Sequence, residues 1–598
     1  MKRRRLRGLY SPELLESRIA PATFVVTNIN DSGGGSLRDA INSANTHPGA
    51  DTITFASTIL APIVLTSGEI LISDTVTIKG SGVDHTIISA NNISRIFNID
   101  DGSTTELHPT TISGLTLTAG NVTGNGGAVT SSESLTLLNV VVSNSTASNA
   151  GGGVYVRTAG KVSITHTVFA SNTATGSSGG GLYAHADQGI IVKTSLATGN
   201  SSSGAGGGMY LRVEPATGKS PLSVTGTAFL GNTAHRGGGL QLKNSDAKIV
   251  VTSSTFTGNS SSSSGGALYL EDGILNVTKS TFSGNFSGSN GGAIADNGGG
   301  GMTITSSRFD HNAAVGDGGA LYADDSNAVT VTSSLFTENT AVNGGAIAGS
   351  NGVKLAVKSS QFLANSATQT GGAIDMKSAN SLLNVTSSIF TSNSANIDGG
   401  AIAGATATKI NITKGGFFSN FTSGRGGSFF TTGTTTNAVD LTVVGSVFTG
   451  NIAGNGGAGY ATGNGKVSVT SSKFVGNRTT NGDGGALYLK STTSVLITAS
   501  LFSQNFSFDD AGALALNGPA TIKASKFIDN ATSIVANSAA GGIAAFGGSL
   551  AIISSVITGN VSGEGGGVAN FVGVSNLTIT SSKITGNWAL TDPNIFNV

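Results

Sequence analysis

Two short signatures alternate along most of the chain at a nearly constant spacing. The first is a pair of glycines followed by Ala and an apolar residue, as in the Gly-Gly-Ala-Leu run at 318–321. The second is Phe-x-x-Asn, and successive phenylalanines from Phe229 to Phe417 are 26 to 28 residues apart. A repeat of about 27 residues predicts a solenoid in which each unit contacts mainly its two neighbours.

The segments between the signatures alternate apolar residues with Ser, Thr, Asn or Lys, as in Val-Thr-Val-Thr at 329–332. This period of two is typical of a half-buried strand. Short strands joined by glycine turns predict one coil of a β-solenoid, with neighbouring coils about 4.8 Å apart. We therefore predict an all-β fold: a single-stranded right-handed parallel β-helix of about 20 coils and roughly 100 Å in length.

The repeated residues have structural roles in such a coil. We expect the phenylalanines to stack on their copies inside the helix and the asparagines to form an inward ladder of amide hydrogen bonds. The paired glycines permit a bend that a β-carbon would obstruct. These residues therefore predict no active site.

The ends of the chain depart from the repeat. Residues 36–45 place apolar side chains on one helical face, and Ser36 and Asp39 are spaced as a capping box, which predicts a short N-terminal capping helix. We predict a basic, disordered export or sorting segment at 1–22, the cap and first irregular coils at 23–125, and regular repeats at 126–598.

Composition excludes several function classes. Lys and Arg together number 32, as do Asp and Glu, so no net charge draws the chain to nucleic acid. Cys is absent, which rules out disulfides, thiolate metal sites and a Cys nucleophile. No apolar run is long enough to predict a transmembrane helix.

The glycine and Phe-x-x-Asn signatures, repeated over roughly 126–587, resemble the repeats of chlamydial polymorphic outer-membrane proteins. The run Asp-Ser-Gly-Gly-Gly-Ser-Leu-Arg-Asp-Ala-Ile at 31–41 is similar to a motif that precedes many bacterial right-handed β-helices. The run Leu-Glu-Ser-Arg-Ile-Ala-Pro at 15–21 resembles the N-terminal segment of exported planctomycete proteins. These resemblances imply a bacterial surface or secreted protein of the pectin-lyase-like fold, with adhesion as an implied role.

Acidic residues on three consecutive coils form a first candidate site. Counted from the Ala of each glycine signature, they fall three to five residues on, and we expect them on one edge within about 10 Å. Such carboxylates could hold Ca²⁺, although no Arg or Lys nearby is an evident lyase base. The set consists of Glu271, Asp272, Asp296, Asp324 and Asp325.

Asp483 and Asp510, which precede the glycines of adjacent coils, form a second candidate, an acid and base pair for glycoside hydrolysis. Asp317 and Asp398 occupy the same position in distant coils, which favours a solvated turn residue instead. Four histidines fall in different registers and predict no metal triad: His166, His185, His235 and His311.

The leading hypothesis is thus a non-enzymatic extracellular or cell-surface rod, adhesin-like or structural, that binds partners or polysaccharide along its side. It predicts no catalytic residue and no cofactor, apart from Ca²⁺ at the acidic edge. The alternative is a polysaccharide lyase or glycoside hydrolase. The ligand, the export route and the oligomeric state do not follow from the sequence.

Overall fold

The computed structural model describes residues 20–103, 106–214, 220–298, 300–324, 328–406, 408–433, 440–491, 493–534 and 538–597, with the backbone alone at 245–247. Within them the chain winds into a right-handed parallel solenoid of about 20 turns with a single helix, which confirms the predicted fold class. The basic segment is a prediction that falls largely outside the described residues. The division at residue 126 also stays a prediction.

One coil illustrates the others. Leu321–Asp324 follows the glycine pair and forms the first face, Val329–Thr332 the second face, Leu335–Thr337 the third face, and Thr340–Ala341 a two-residue corner strand. Each strand pairs in parallel with its counterpart in the next coil. Their alternating apolar and polar residues point in and out of the coil, as the period of two predicts.

The first-face strands are Ile70–Ile72, Phe97–Ile99, Val129–Ser131, Val154–Thr158, Leu182–Ala186, Met209–Val213, Ile294–Asn297, Leu321–Asp324, Ile347–Gly349, Ile374–Met376, Ile402–Gly404, Phe429–Thr432, Gly459–Gly463, Leu487–Ser491, Leu514–Asn517, Ile543–Ala545, Val568–Asn570 and Ile595–Asn597. Two strands run on from the first to the second face: Leu240–Thr252 and Leu268–Thr278. The second-face strands are Thr23–Val26, Asp51–Phe55, Val76–Lys79, Val162–Thr165, Ile190–Lys193, Leu222–Thr225, Met302–Thr305, Val329–Thr332, Lys354–Lys358, Leu382–Thr386, Lys409–Thr413, Leu441–Val444, Lys466–Thr470, Ser494–Thr498, Ala520–Lys523, Gly548–Ile553 and Val574–Thr580.

Two strands run on from the second to the third face: Thr110–Thr118 and Leu135–Ser143. The third-face strands are Ile63–Val64, Ile87–Ser89, Val168–Ala170, Leu196–Thr198, Ala228–Leu230, Thr255–Thr257, Thr281–Ser283, Arg308–Asp310, Leu335–Thr337, Gln361–Leu363, Ile389–Thr391, Gly416–Phe418, Val447–Thr449, Lys473–Val475, Leu501–Ser503, Lys526–Ile528, Val556–Thr558 and Lys583–Ile584. The corner strands are Asn121–Val122, Thr146–Ala147, Thr173–Ala174, Ser201–Ser202, Thr233–Ala234, Ser260–Ser261, Phe286–Ser287, Ala313–Ala314, Thr340–Ala341, Ser366–Ala367, Ser394–Ala395, Phe421–Thr422, Ile452–Ala453, Arg478–Thr479, Phe506–Ser507, Ala531–Thr532, Val561–Glu564 and Trp588–Thr591.

The phenylalanines of the third face form the predicted interior column. From Phe229 to Phe527 their rings stack with centroids 4.6 to 4.9 Å apart and planes within 8°. All of these rings are shielded from solvent. Ala197 occupies the column position between Phe169 and Phe229, where the sequence signature also lapses.

The asparagines form an unbroken buried ladder from Asn172 to Asn587, as predicted. Asn339 is typical: its Nδ2 donates to Asn365 Oδ1 at 2.9 Å and to the Phe309 carbonyl at 3.0 Å. Its backbone N–H also donates to Asn365 Oδ1, at 3.1 Å. Each amide thus joins three coils and satisfies backbone groups at a corner where strand pairing stops.

A second ladder of buried hydroxyls runs beside it and was not predicted from the sequence. The residue two before each Phe is a serine in most coils, and its Oγ accepts from the backbone N–H of the serine one coil earlier, as in Ser307 to Ser334 at 3.2 Å. Gly415 interrupts this ladder. Serines are frequent throughout the chain, so this column is visible only after the phenylalanines are aligned.

The glycine pair is required by close backbone contacts, as predicted. Gly318 has φ +68°. A β-carbon on Gly319 would lie 2.1 Å from the carbonyl oxygen of Gly345 in the next coil. Both positions therefore exclude larger residues.

The N-terminal helix covers the first coil, as predicted. It spans Leu37–Thr46, buries the apolar face, and packs against strands Thr23–Val26 and Ile70–Ile72. Ser36 accepts from the Asp39 N–H, whereas Asp39 accepts from the Gly35 N–H instead of closing the capping box on Ser36. Covering the open end removes a sheet edge that would pair with other strands.

Candidate functional site

The outward positions of the first face form a second aromatic column, which we call the outer column. It holds stacked tyrosines near both ends, with ring centroids 4.8 Å apart for Tyr183 and Tyr210 and likewise for Tyr460 and Tyr488. Parallel pairing places one outer-column residue in each coil. From one coil to the next, they are Tyr155, Tyr183, Tyr210, Gln241, Tyr269, Ala295, Tyr322, Ala348, Asp375, Ala403, Phe430, Tyr460 and Tyr488.

A cavity of about 340 Å³ opens where this column loses its aromatic rings. Asp375 stands in the column between Ala348 and Ala403, and Phe430 resumes it one coil later. Because alanine replaces a ring on either side of Asp375, the space beside its carboxyl stays open. We call this space the Asp375 cavity.

Asp375 is a buried carboxyl with no cation at ion-pair distance among the described residues. It is 5% exposed, and burial raises its pKa to about 7, with Asp317 adding to the rise. Lys377 opposes this shift, but its Nζ lies 2.6 Å from Asp317 Oδ2. A hydrogen bond from Thr370 also lowers the pKa. Asp375 was not predicted from the sequence, although alignment on the glycine pair places it at the position of Tyr322.

A second cavity, of about 330 Å³, lies nearer the N-terminal end of the first face. Its lining includes Arg157, His185, Asp187 and Glu106. Burial lowers the pKa of His185, and Arg212 lowers it further, whereas Glu214 opposes the shift. The ring is therefore mostly neutral at neutral pH.

The acidic edge predicted from Glu271 to Asp325 does not form as expected. Asp296 is fully buried in register with Leu270 and Ala323, so it points inward. It falls three residues after its alanine, whereas Glu271 falls four after, and side chains alternate along a strand. The expectation that all of the set share one outer edge was therefore wrong.

The other members of this set have neighbours of their own. Glu271 accepts from Gln241 at 2.6 Å and Lys243 at 2.8 Å in the preceding coil. Asp324 accepts from Asn351 at 2.6 Å in the following coil. Asp272 pairs in register with Lys243 across a β-bulge, and Asp325 lies outside the described residues. Among the described members, no three bring ligand atoms within 4.8 Å of one another.

The second predicted pair does come together. Oxygens of Asp483, Asp509 and Asp510 lie within 4.8 Å of one another. Burial raises the pKa of Asp510 to about 7 and also raises that of Asp483. Asp483 Oδ1 accepts from the Asp510 N–H at 3.1 Å, and Asp510 Oδ1 from the Ala539 N–H at 2.6 Å.

The hydrogen bond between Asp483 and the Asp510 N–H recurs at equivalent turns. In each, the side chain of the residue before the glycine pair accepts from the backbone N–H of the equivalent residue in the next coil. Asp398 Oδ1 accepts from the Arg425 N–H at 2.9 Å, and Asp317 lies in the same register position opposite Asn343. Asp398 is only 5% exposed, so the interpretation of a solvated turn residue was wrong for it. These carboxylates tie adjacent turns together.

A further acidic cluster in the first coils was not singled out from the sequence. Oxygens of Asp100, Asp101 and Glu133 lie within 4.8 Å of one another. Burial raises the pKa of Glu133, which accepts from the His108 N–H at 2.8 Å. The His108 ring lies 3.0 Å from Asp74 Oδ1. These first coils lack the glycine and Phe-x-x-Asn signatures, so the sequence gives no register from which the proximity of the four acids could be predicted.

The four histidines considered above lie apart. His166 has φ +49° at a corner, His235 Nδ1 lies 3.1 Å from Ser262 Oγ, and His311 Nε2 lies 2.8 Å from Glu338 Oε2. His185 lines the second cavity. No described helix is long and apolar enough to cross a membrane.

Comparison with known proteins agrees with this architecture. The family description "Right handed beta helix region" matches residues 95–286, and "Chlamydia polymorphic membrane protein (Chlamydia_PMP) repeat" matches residues 333–350. No curated protein matches the chain. The matched repeat segment includes Phe336, Asn339 and the glycine pair at 344–345, which belong to the ladders and turns described above. The chain is therefore a right-handed parallel β-helix protein that contains a repeat of the chlamydial polymorphic membrane protein type.

Proposed function

We propose that this protein is a non-enzymatic rod of a bacterial cell surface or extracellular space that binds glycans along its first face. The observation that carries the proposal is the outer column, whose rings are half-buried or nearly buried and give way to the Asp375 cavity, a space of one-ligand size. Flat aromatic side chains give sugars an apolar surface, and the polar groups around the cavities can fix their hydroxyls.

The turn carboxylates support a non-enzymatic role. A general acid or base must reach the reacting atoms of its substrate. Asp398, Asp483 and Asp510 instead accept backbone N–H groups of the next coil. The repeat type that the chain contains is named for a membrane protein, which favours surface display.

The test is incubation of the full chain with acidic and neutral polysaccharides, with and without Ca²⁺, scoring retention and product release together. We expect retention on at least one polysaccharide without release of shorter products. Cleavage, or the absence of any retention, would overturn the proposal. An Ala403→Phe variant, which fills the Asp375 cavity, should bind less than a Tyr488→Phe variant, which keeps the outer column intact.

A glycoside hydrolase centred on Asp483 and Asp510 is the second candidate. It is favoured by two carboxyls close together on adjacent coils, both with a raised pKa. Product release abolished by both Asp483→Asn and Asp510→Asn, but retained in Asp398→Asn, would establish it. Product release unaffected by both substitutions would exclude this pair.

A further inference from the structure

The Asp375 cavity joins an apolar wall to a buried acid. Phe430 and Ala403 line it within the outer column, and Asn343 and Thr370 line it from the turn. Its volume of about 340 Å³ lies at the small end of the range for ligand sites. A site of this size accommodates one small unit of a polymer.

Among the described charged groups around the cavity, the Asp375 carboxyl has no cation at ion-pair distance. The ammonium of Lys377 lies 2.6 Å from Asp317, and the guanidinium of Arg425 lies 2.7 Å from Asp398. Each cation therefore already faces another acid. Asp375 can ionise in this setting only at a desolvation cost that an added cation would offset.

Phe430 and Asp375 together recognise a specific combination of groups. The aromatic ring can contact the C–H face of a pyranose or a nearby cation, and the carboxylate can receive an ammonium group. A neutral sugar could hydrogen-bond the carboxyl through a hydroxyl but would not compensate its negative charge, and an acidic sugar would be repelled by that charge.

We propose that the Asp375 cavity binds an amino sugar, with its ammonium group against the Asp375 carboxylate and its ring against Phe430. This inference rests on the proposed glycan-binding function and names the sugar class. Since Asp375 must lose its proton to receive the ammonium group, binding below neutral pH releases a proton.

The test is calorimetric titration of the full chain with a glucosamine trisaccharide at pH 7, with its fully N-acetylated counterpart as the uncharged probe. We expect the free-amine sugar to bind at least tenfold more tightly than the acetylated one. Asp375→Asn should abolish this preference, and Ala403→Phe should abolish binding by filling the cavity. The matched control is Glu133→Gln, which changes another buried carboxyl of raised pKa outside the cavity and should bind normally.

Three results would overturn the inference: equal binding of both sugars, an unchanged preference in Asp375→Asn, or lysine amide binding as tightly as the amino sugar. The last result would show recognition of the amine without the sugar ring.

Titration in two buffers of different ionisation enthalpy should also show proton release at pH 6 that diminishes by pH 8. If other polysaccharides are retained while the amino sugar is not, the inference fails and the proposed function stands; loss of all glycan binding removes both.

Discussion

Arg425 joins Asp398 to Phe430. Its Nε and Nη2 donate to the two oxygens of Asp398 at 2.9 and 2.7 Å, and its Cζ lies 4.5 Å from the centre of the Phe430 ring. The side chain thus links the turn of one coil to the turn and the outer column of the next. A bidentate pair with a buried carboxylate stabilises more than a solvated pair does.

Replacing Arg425 by Met should therefore lower the free energy of unfolding by about 2 kcal/mol, because it leaves the Asp398 carboxylate buried and unpaired. The control is Arg308→Met at the more exposed pair with Asp310, where we expect about 0.5 kcal/mol. Hydrogen exchange of the neighbouring turns measures both effects locally. Asp398→Asn combined with Arg425→Met should recover part of the loss, and equal effects of the two single Met variants would contradict this account.

Two glycines, Gly319 and Gly258, should respond very differently to alanine. Gly319→Ala drives a β-carbon into the Gly345 carbonyl and should prevent the coil from closing, with loss of soluble protein. Gly258 has φ +62° but open space around its β-carbon position. Because the equivalent residue Ala364 adopts φ +52°, Gly258→Ala should cost only about 1 kcal/mol. Expression yield and thermal midpoint distinguish the two variants, and a well-folded Gly319→Ala protein would refute the packing argument.

The two interior ladders should also differ. Asn339→Ala removes a hydrogen bond to the Phe309 carbonyl and leaves the backbone N–H and one Nδ2–H of Asn312 without their acceptor, at a cost of about 3 kcal/mol or more. Ser334→Ala leaves one N–H, that of Ser307, without its acceptor and should cost about 1 kcal/mol. The chain itself tolerates Gly415 in the serine ladder. Local hydrogen exchange over residues 282–365 compares the Asn339→Ala and Ser334→Ala variants. A larger effect of the serine variant would be inconsistent with this ranking.

Stability should depend on pH through Asp375. The folded state holds this proton up to a pKa of about 7, whereas the unfolded chain releases it near the ordinary value of 3.8. The contribution of Asp375 to the free energy of unfolding is therefore most favourable below pH 4, and it falls as the pH rises towards 7. One pKa unit is worth about 1.4 kcal/mol, so the contribution is at most about 4 kcal/mol.

Asp375→Asn should flatten this fall, since Asn resembles the protonated acid. Asp510 also has a pKa of about 7, so part of the slope should persist until Asp510→Asn is added. Urea unfolding midpoints at pH 4, 5.5 and 7 measure the effect. An identical pH dependence in wild type and in the double variant would exclude both groups as its source.

The interior was predictable because it repeats. A ladder needs the same side chain in every coil, so Phe229 and Asn339 can be assigned from spacing alone. The candidate sites were harder to predict, because their residues depart from the repeat. Asp296 was assigned to the wrong face of its strand, because it lies one position away from the outward-facing residues. Asp375 was overlooked because it is the lone acid among the outer-column residues named above, most of which are aromatic or alanine.

The Asp483 and Asp510 pair was predicted from adjacent coils, and the structure brings the two carboxyls together. Their hydrogen bonds to backbone N–H groups could not be anticipated, because they depend on the rotation of each side chain at the turn. Spacing therefore predicts which residues are neighbours, whereas their interactions require coordinates.

The asparagine ladder gives the rod an electrical direction. Each amide donates one Nδ2–H to the next asparagine towards the C-terminal end and accepts at Oδ1 from the preceding asparagine, as Asn312, Asn339 and Asn365 show. The other Nδ2–H reaches back to a phenylalanine carbonyl. Dipoles aligned head to tail add along an axis and polarise one another, as peptide dipoles do in a helix. The two ends of the column are thus electrostatically unequal although the chain has no net charge, and replacing one central asparagine would divide this dipole into two shorter ones.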